Sequence, residues 1–108
     1  MSILDYFKRE DIGIWVNKIR SMDKYVLIDV RNDYEFQAGH IGGARNIPVE
    51  KIKNTVNYVH NMDTPIFTYC ETGQRSLKAV KTLKKLGYTH VQNIGGIEDY
   101  TGMLKKGK

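Results

Sequence analysis

Cys70 is the single cysteine of the chain, and it stands between a short apolar run and a helical pattern. Ile66, Phe67, Thr68 and Tyr69 have the β-branched and aromatic character of a pleated strand. Leu77, Ala79, Val80, Leu83 and Leu86 then recur at helical spacing. Cys70 is therefore expected at the C-terminal edge of a strand, at the strand-to-helix turn where α/β sheets place their ligands. Glu71, Thr72, Gly73, Gln74 and Arg75 separate it from Ser76. Gly73 permits backbone angles that other residues resist, so the loop can curl with its amide N–H groups facing inward. Inward amides and the positive end of the following helix make a concave anion site, to which Arg75 adds a planar cationic fork. The same setting favours a thiolate, which makes Cys70 a candidate nucleophile. A lone cysteine is equally a small buried apolar residue without chemistry, and position alone leaves both readings open.

The elements that must position this loop follow from periodicity. Ile12, Trp15, Val16 and Ile19 predict an amphipathic helix over residues 11–20, with Asp11 as its cap. Residues 25–30 form a near-continuous apolar run, as a strand buried on both faces does, broken by Asp29. A carboxylate there needs a backbone N–H or an arginine as partner, or else serves as a turn or cap residue. A short helix over residues 33–40 is closed by Gly39. After Pro48, Val49, Ile52, Val56 and Val59 predict a second amphipathic helix ending near His60 and Asn61. Asp63, Thr64 and Pro65 break the chain before the central strand. The helix from Ser76 ends at Gly87, and residues 90–94 form the next strand. Gly95 and Gly96 are expected as a tight turn, residues 97–104 as a last helix, and residues 105–108 as a frayed basic tail. Alternating strands and helices predict an α/β layer fold with a mostly parallel sheet.

Composition bounds the function. At 108 residues, 41% hydrophobic and 27% charged, the chain fits one ordered domain. One cysteine makes no internal disulfide, which points to a reducing compartment. Met1 to Glu10 lacks the apolar stretch of a signal peptide and no later segment approaches a membrane span, so the cytoplasm is expected. The net charge is +5, with Lys78, Lys81, Lys84 and Lys85 on the helix after the loop. No aromatic platform or recognition helix accompanies these lysines, so nucleic acid is not an expected partner. They read as a solvated face, with a general attraction for small anions or acidic proteins left open. His40, His60, His90 and Cys70 offer no close ligand pair, so no metal is expected.

The run Cys70, Gly73, Arg75, Ser76 resembles the active-site loop of the rhodanese family, the single-domain sulfurtransferases. Leu27 to Arg31, Glu35-Phe36 and Gly39 to Pro48 resemble its N-terminal signature, and Gly87 to Val91 with Asn93 to Ile97 its C-terminal one. The segments stand in the family's order and span nearly the whole chain. Tyr100 departs from a frequent tryptophan, and Gln92, Asn93 and Ile94 lie within family variation, so neither feature is expected to touch the chemistry. The resemblance implies a three-layer rhodanese-like fold, a mostly parallel central sheet with helices on both faces. It implies a single domain over residues 1–108, with a core at about 10–104.

The activity so implied is transfer of sulfane sulfur through a persulfide on Cys70. A small anionic donor such as thiosulfate, or a protein persulfide, would supply the sulfur. A thiol in the cell, or cyanide in an assay, would remove it. Arg75 and the loop amides would meet the leaving group's charge. Neither metal nor organic cofactor is implied. Asp29 would support the loop's neighbourhood, and His40 would be hydrogen-bonded scaffold and not a base. A monomer or weak homodimer is expected. Cell-cycle phosphatases of the same architecture place one residue more between cysteine and arginine than the four found here, which favours sulfur over phosphate; arsenate reductases are a lesser variant. A non-catalytic binding module is the alternative of a different class, against which the intact cysteine, glycine and arginine weigh. Glu71 opposes both a thiolate and an anionic donor. Thiosulfate is therefore expected to be a weak donor, unless Glu71 points into water and matters little.

Overall fold

The structure, a computed structural model, describes residues 11–108. The reading of Met1 to Glu10 as free of a signal peptide lies outside the described residues.

The chain runs through α1 (Ile12–Arg20), β1 (Val26–Asp29), α2 (Asp33–Ala38), β2 (His40–Ile41), β3 (Arg45–Asn46), a 3-10 helix (Val49–Asn57), β4 (Ile66–Cys70), α3 (Gln74–Lys85), β5 (Val91–Gly96), a 3-10 turn (Ile97–Asp99) and β6 (Leu104–Lys105). Four strands form one parallel sheet in the order β3-β1-β4-β5. Strand β4 is central and every one of its residues is buried, as a continuous apolar run requires when both faces are covered.

The pleat sorts the residues of β4 between two cores. Ile66 and Cys70 join Ile52, Ala79, Val80 and Leu83, under α3 and the long 3-10 helix. Phe67 and Tyr69 join Ile12, Val16 and Ile19, under α1. Helices therefore cover both faces of a parallel sheet, in the expected three layers. Cys70 and Tyr69, adjacent in sequence, face opposite layers.

Local signals set the helix ends. Asp11 caps α1 by accepting from the Gly13 N–H at 2.6 Å. Asn32 and Glu35 form a reciprocal capping box at the start of α2. Helix α3 begins at Gln74, two residues before the expected Ser76, with Gly73 as its cap, and stops just ahead of Gly87.

Four expectations are corrected. The segment after Pro48 winds as a 3-10 helix: Ile52 and Thr55, three apart, are buried and Val56 is exposed, and the Thr55 hydroxyl donates to the Ile52 carbonyl at 2.6 Å. Gly95 and Gly96 belong to β5, where an irregular register shifts the pairing with β4 between Thr68 and Tyr69. The predicted last helix is a single 3-10 turn, since Gly102 and sparse apolar residues support nothing longer. The tail is tied down: β6 pairs antiparallel with β2, and the Gly107 N–H donates to the Gln37 carbonyl at 2.8 Å. His40 starts β2, buried, with Nδ1 2.9 Å from the Phe36 carbonyl and its ring stacked on Phe36.

Candidate active site

Cys70 ends β4, and the loop turns at once into α3. Gly73 sits at φ 101°, a left-handed conformation that residues with a Cβ resist, and there its N–H points back at the cysteine. It donates to Cys70 Sγ at 2.9 Å, and the Ser76 N–H, in the first turn of α3, donates at 3.3 Å. Two main-chain donors at a helix N-terminus thus converge on the sulfur. The residue is 1% exposed, so the sulfur lies beneath the loop. The Ser76 hydroxyl is turned away to share a short hydrogen bond with Thr68, while Thr72 and Gln74 face solvent.

The loop is braced from β5. Asn93 Nδ2 donates to the Gly73 carbonyl at 3.0 Å and its Oδ1 accepts from the Gly95 N–H at 2.9 Å, which anchors the residue whose N–H faces the sulfur. At Gly96 a Cβ would run into the main chain of Glu71 and Thr72. Asn93, expected to be remote from the chemistry, therefore holds the loop.

Ion pairs brace it from the other side. Arg75 does not stand free as an anion-binding fork: Nη1 and Nη2 donate to Glu35 Oε1 and Oε2 at 2.8 and 2.9 Å. The hydrogen bond from Arg75 holds the Glu35 carboxyl down at about 2, with the Asn32 N–H adding to it, and Glu35 in turn raises Arg75. Asp29 is fully buried and finds the arginine partner its position demands. Arg31 donates to it through Nη2 at 2.8 Å, through Nε at 3.1 and 3.2 Å, and through its main-chain N–H at 2.9 Å. Burial alone would pull the Arg31 guanidinium down, but its bond to Asp29 and the charges around it more than offset this and leave it raised. Burial, with the Asp29 charge beside it, pushes the Tyr69 hydroxyl far above the ordinary tyrosine range. That hydroxyl also accepts from the Ile41 N–H at 3.0 Å.

Arg31 continues outward to the Gly39 carbonyl at 2.6 Å and to Glu71 Oε1 at 3.3 Å. Glu71, expected either to oppose the thiolate or to point into water, is thus paired with a buried guanidinium. The sequence shows Arg31 and Glu35 only as parts of a resembling segment, without roles. The spacing of Asn32 and Glu35 was the one readable signal, that of a capping box. Among the described residues, no group of three His, Cys, Asp or Glu side chains could hold a metal, and no helix is long and apolar enough to cross a membrane.

Residues 14–103 match the model of the rhodanese-like domain family. The chain belongs to that family. A rhodanese-like domain of this sequence is 37% identical over 81 residues to the thiosulfate sulfurtransferase PspE of Escherichia coli, which covers 74% of this chain and 78% of that protein. It is 33% identical to the tRNA uridine(34) hydroxylase of Buchnera aphidicola, over 90% of this chain but 35% of that longer protein. A solved structure described as a rhodanese with anions from E. coli superposes with a TM-score of 0.72 at 36% identity, covering 77% of this chain and 99% of that one.

Proposed function

We propose that this rhodanese-like domain is a sulfurtransferase that carries sulfane sulfur as a persulfide on Cys70. The observation that carries the reading is the pair of N–H groups of Gly73 and Ser76 aimed at Sγ, an arrangement an inert core cysteine does not need. The thiolate attacks the outer sulfur of a donor, and a new S–S bond forms. The donor's own bond to that sulfur breaks, and the remainder leaves with the electron pair, as sulfite from thiosulfate or as a thiolate from a persulfide. A thiol or cyanide then attacks the terminal sulfur and Cys70 departs as thiolate, so charge on sulfur meets the same two amides in both halves. Both steps balance with thiolate, donor and acceptor alone. Similarity to a protein named thiosulfate sulfurtransferase, and to a rhodanese solved with anions, supports this class of chemistry.

The test is thiocyanate formation from cyanide and a sulfane donor. Parallel double-reciprocal lines and complete loss in Cys70→Ser are expected; intersecting lines, or activity surviving the substitution, contradict the reading. The burial of Cys70 at 1% exposure favours one other reading, a binding module whose cysteine only packs. No turnover with any donor supports that module, and turnover of an aryl phosphate in its place supports a phosphatase.

A further inference from the structure

We infer that the approach to Cys70 selects sulfur donors that are uncharged or cationic beside the transferred sulfur, and disfavours dianionic thiosulfate. The inference rests on the reading of Cys70 as the sulfur carrier.

Two guanidiniums flank the loop, and both are engaged. Arg75 spends both terminal nitrogens on Glu35, and Arg31 spends its nitrogens on Asp29, Gly39 and Glu71. Three carboxylates, Asp29, Glu35 and Glu71, thus stand against two cations, and the set is negative by one before the sulfur ionises.

The open space beside the loop continues the trend. A cavity of about 410 Å³ on one side is bounded by Arg31, Glu35 and Glu71 and adds the exposed carboxylate of Glu98. A larger one of about 680 Å³, bounded by Thr72, Gly73 and Asn93, adds Asp11 and Asp99. Among the described residues, no lysine lines either cavity. Lys78, Lys81, Lys84 and Lys85, which contribute to the net charge of +5, lie along α3 instead. Around the loop and its two cavities carboxylates outnumber guanidiniums, opposite in sign to the net charge of the chain, and screening over about 8 to 10 Å at physiological salt limits the reach of charges elsewhere on the surface.

The favoured donor class is a hydropersulfide on an uncharged or amine-bearing carrier. Cys70 thiolate bonds to the outer sulfur of R–S–SH, the S–S bond of the donor breaks, and R–S⁻ leaves with its electron pair. The proton stays on the transferred sulfur.

The experiment is single-turnover formation of the Cys70 adduct from the hydropersulfides of cysteamine, N-acetylcysteamine and 3-mercaptopropionate and from thiosulfate, each at low and high salt. Salt should slow the cysteamine donor and speed the two anionic ones. Glu71→Gln and, separately, Glu98→Gln should lower the ratio of cationic to anionic rates by about threefold, the scale of a partly exposed charge contact. Anionic rates that fall with salt, or a ratio unmoved in both variants, overturn the inference. Absence of an adduct from every donor overturns the sulfur-carrier reading itself, a different result.

Discussion

Both terminal nitrogens of Arg75 donate to both carboxylate oxygens of Glu35, at 2.8 and 2.9 Å. This fork ties the end of the active loop to α2, from a part of the chain far away in sequence. The capping box at the start of α2 holds Glu35 still, because the same carboxylate accepts from the Asn32 N–H at 3.1 Å.

Acid should release this tie. The Glu35 carboxyl is lowered from 4.5 to about 2 by the bond from Arg75, so its stabilisation is fully present above the ordinary value. It is lost as pH falls from there through about 2. The difference in urea midpoint between the wild type and Glu35→Gln is expected to be constant above about pH 5.5 and to shrink towards zero near the folded value. A difference unchanged down to that acid limit contradicts the pairing.

Asp29→Asn takes the buried counter-charge from the Arg31 guanidinium, 4% exposed, and leaves it only the longer pairing with the half-exposed Glu71. The expected cost is about 3 to 5 kcal/mol by chemical denaturation, as for other broken buried pairs. Replacing both residues by apolar ones of similar volume should cost less than the single change. A loss under about 1 kcal/mol in the single variant would show that the pair does not hold the fold together.

Asn93 can be split into its two functions. Asn93→Asp keeps the acceptor for the Gly95 N–H and removes the donor to the Gly73 carbonyl, and puts a negative charge beside that carbonyl. Sulfur transfer is expected to fall at least tenfold, a loss of about 1.4 kcal/mol in the barrier. Asn93→Ala, without the repulsion, should fall less. Equal rates in all three proteins would free Asn93 of any part in shaping the loop.

Gly96→Ala puts a methyl group against the main chain of Glu71 and Thr72, so the loop has to shift. Overpacking of this kind costs about 1 to 3 kcal/mol, and here it should also displace the Gly73 N–H from the sulfur. Loss of sulfur transfer larger than the loss of stability implies is the expected sign; full activity with ordinary stability contradicts it.

The sheet and its two covering layers were legible because buried parallel strands leave continuous apolar runs and helices leave a period. The position of Cys70 followed from the same pattern. Where two periods nearly coincide, the reading fails. Val49 and Ile52 suit a turn of three residues as well as one of 3.6, and only the burial of Thr55 in place of Val56 separates them. Strand β6 has two residues and leaves no pattern. The state of Arg75 was not legible, because its partner is distant in sequence and nothing local marks the pairing. An arginine at the end of an anion loop reads as an anion ligand until Glu35 is seen beside it.

The central claim is that Cys70 carries the sulfur, and intact-protein mass after brief exposure to a persulfide donor tests it most directly. The wild type is expected to gain about 32 Da, one sulfur atom, located at Cys70, and to lose it on addition of cyanide. Cys70→Ser should gain nothing. A wild-type mass unchanged under donor excess, or the same gain in the serine variant, contradicts the account.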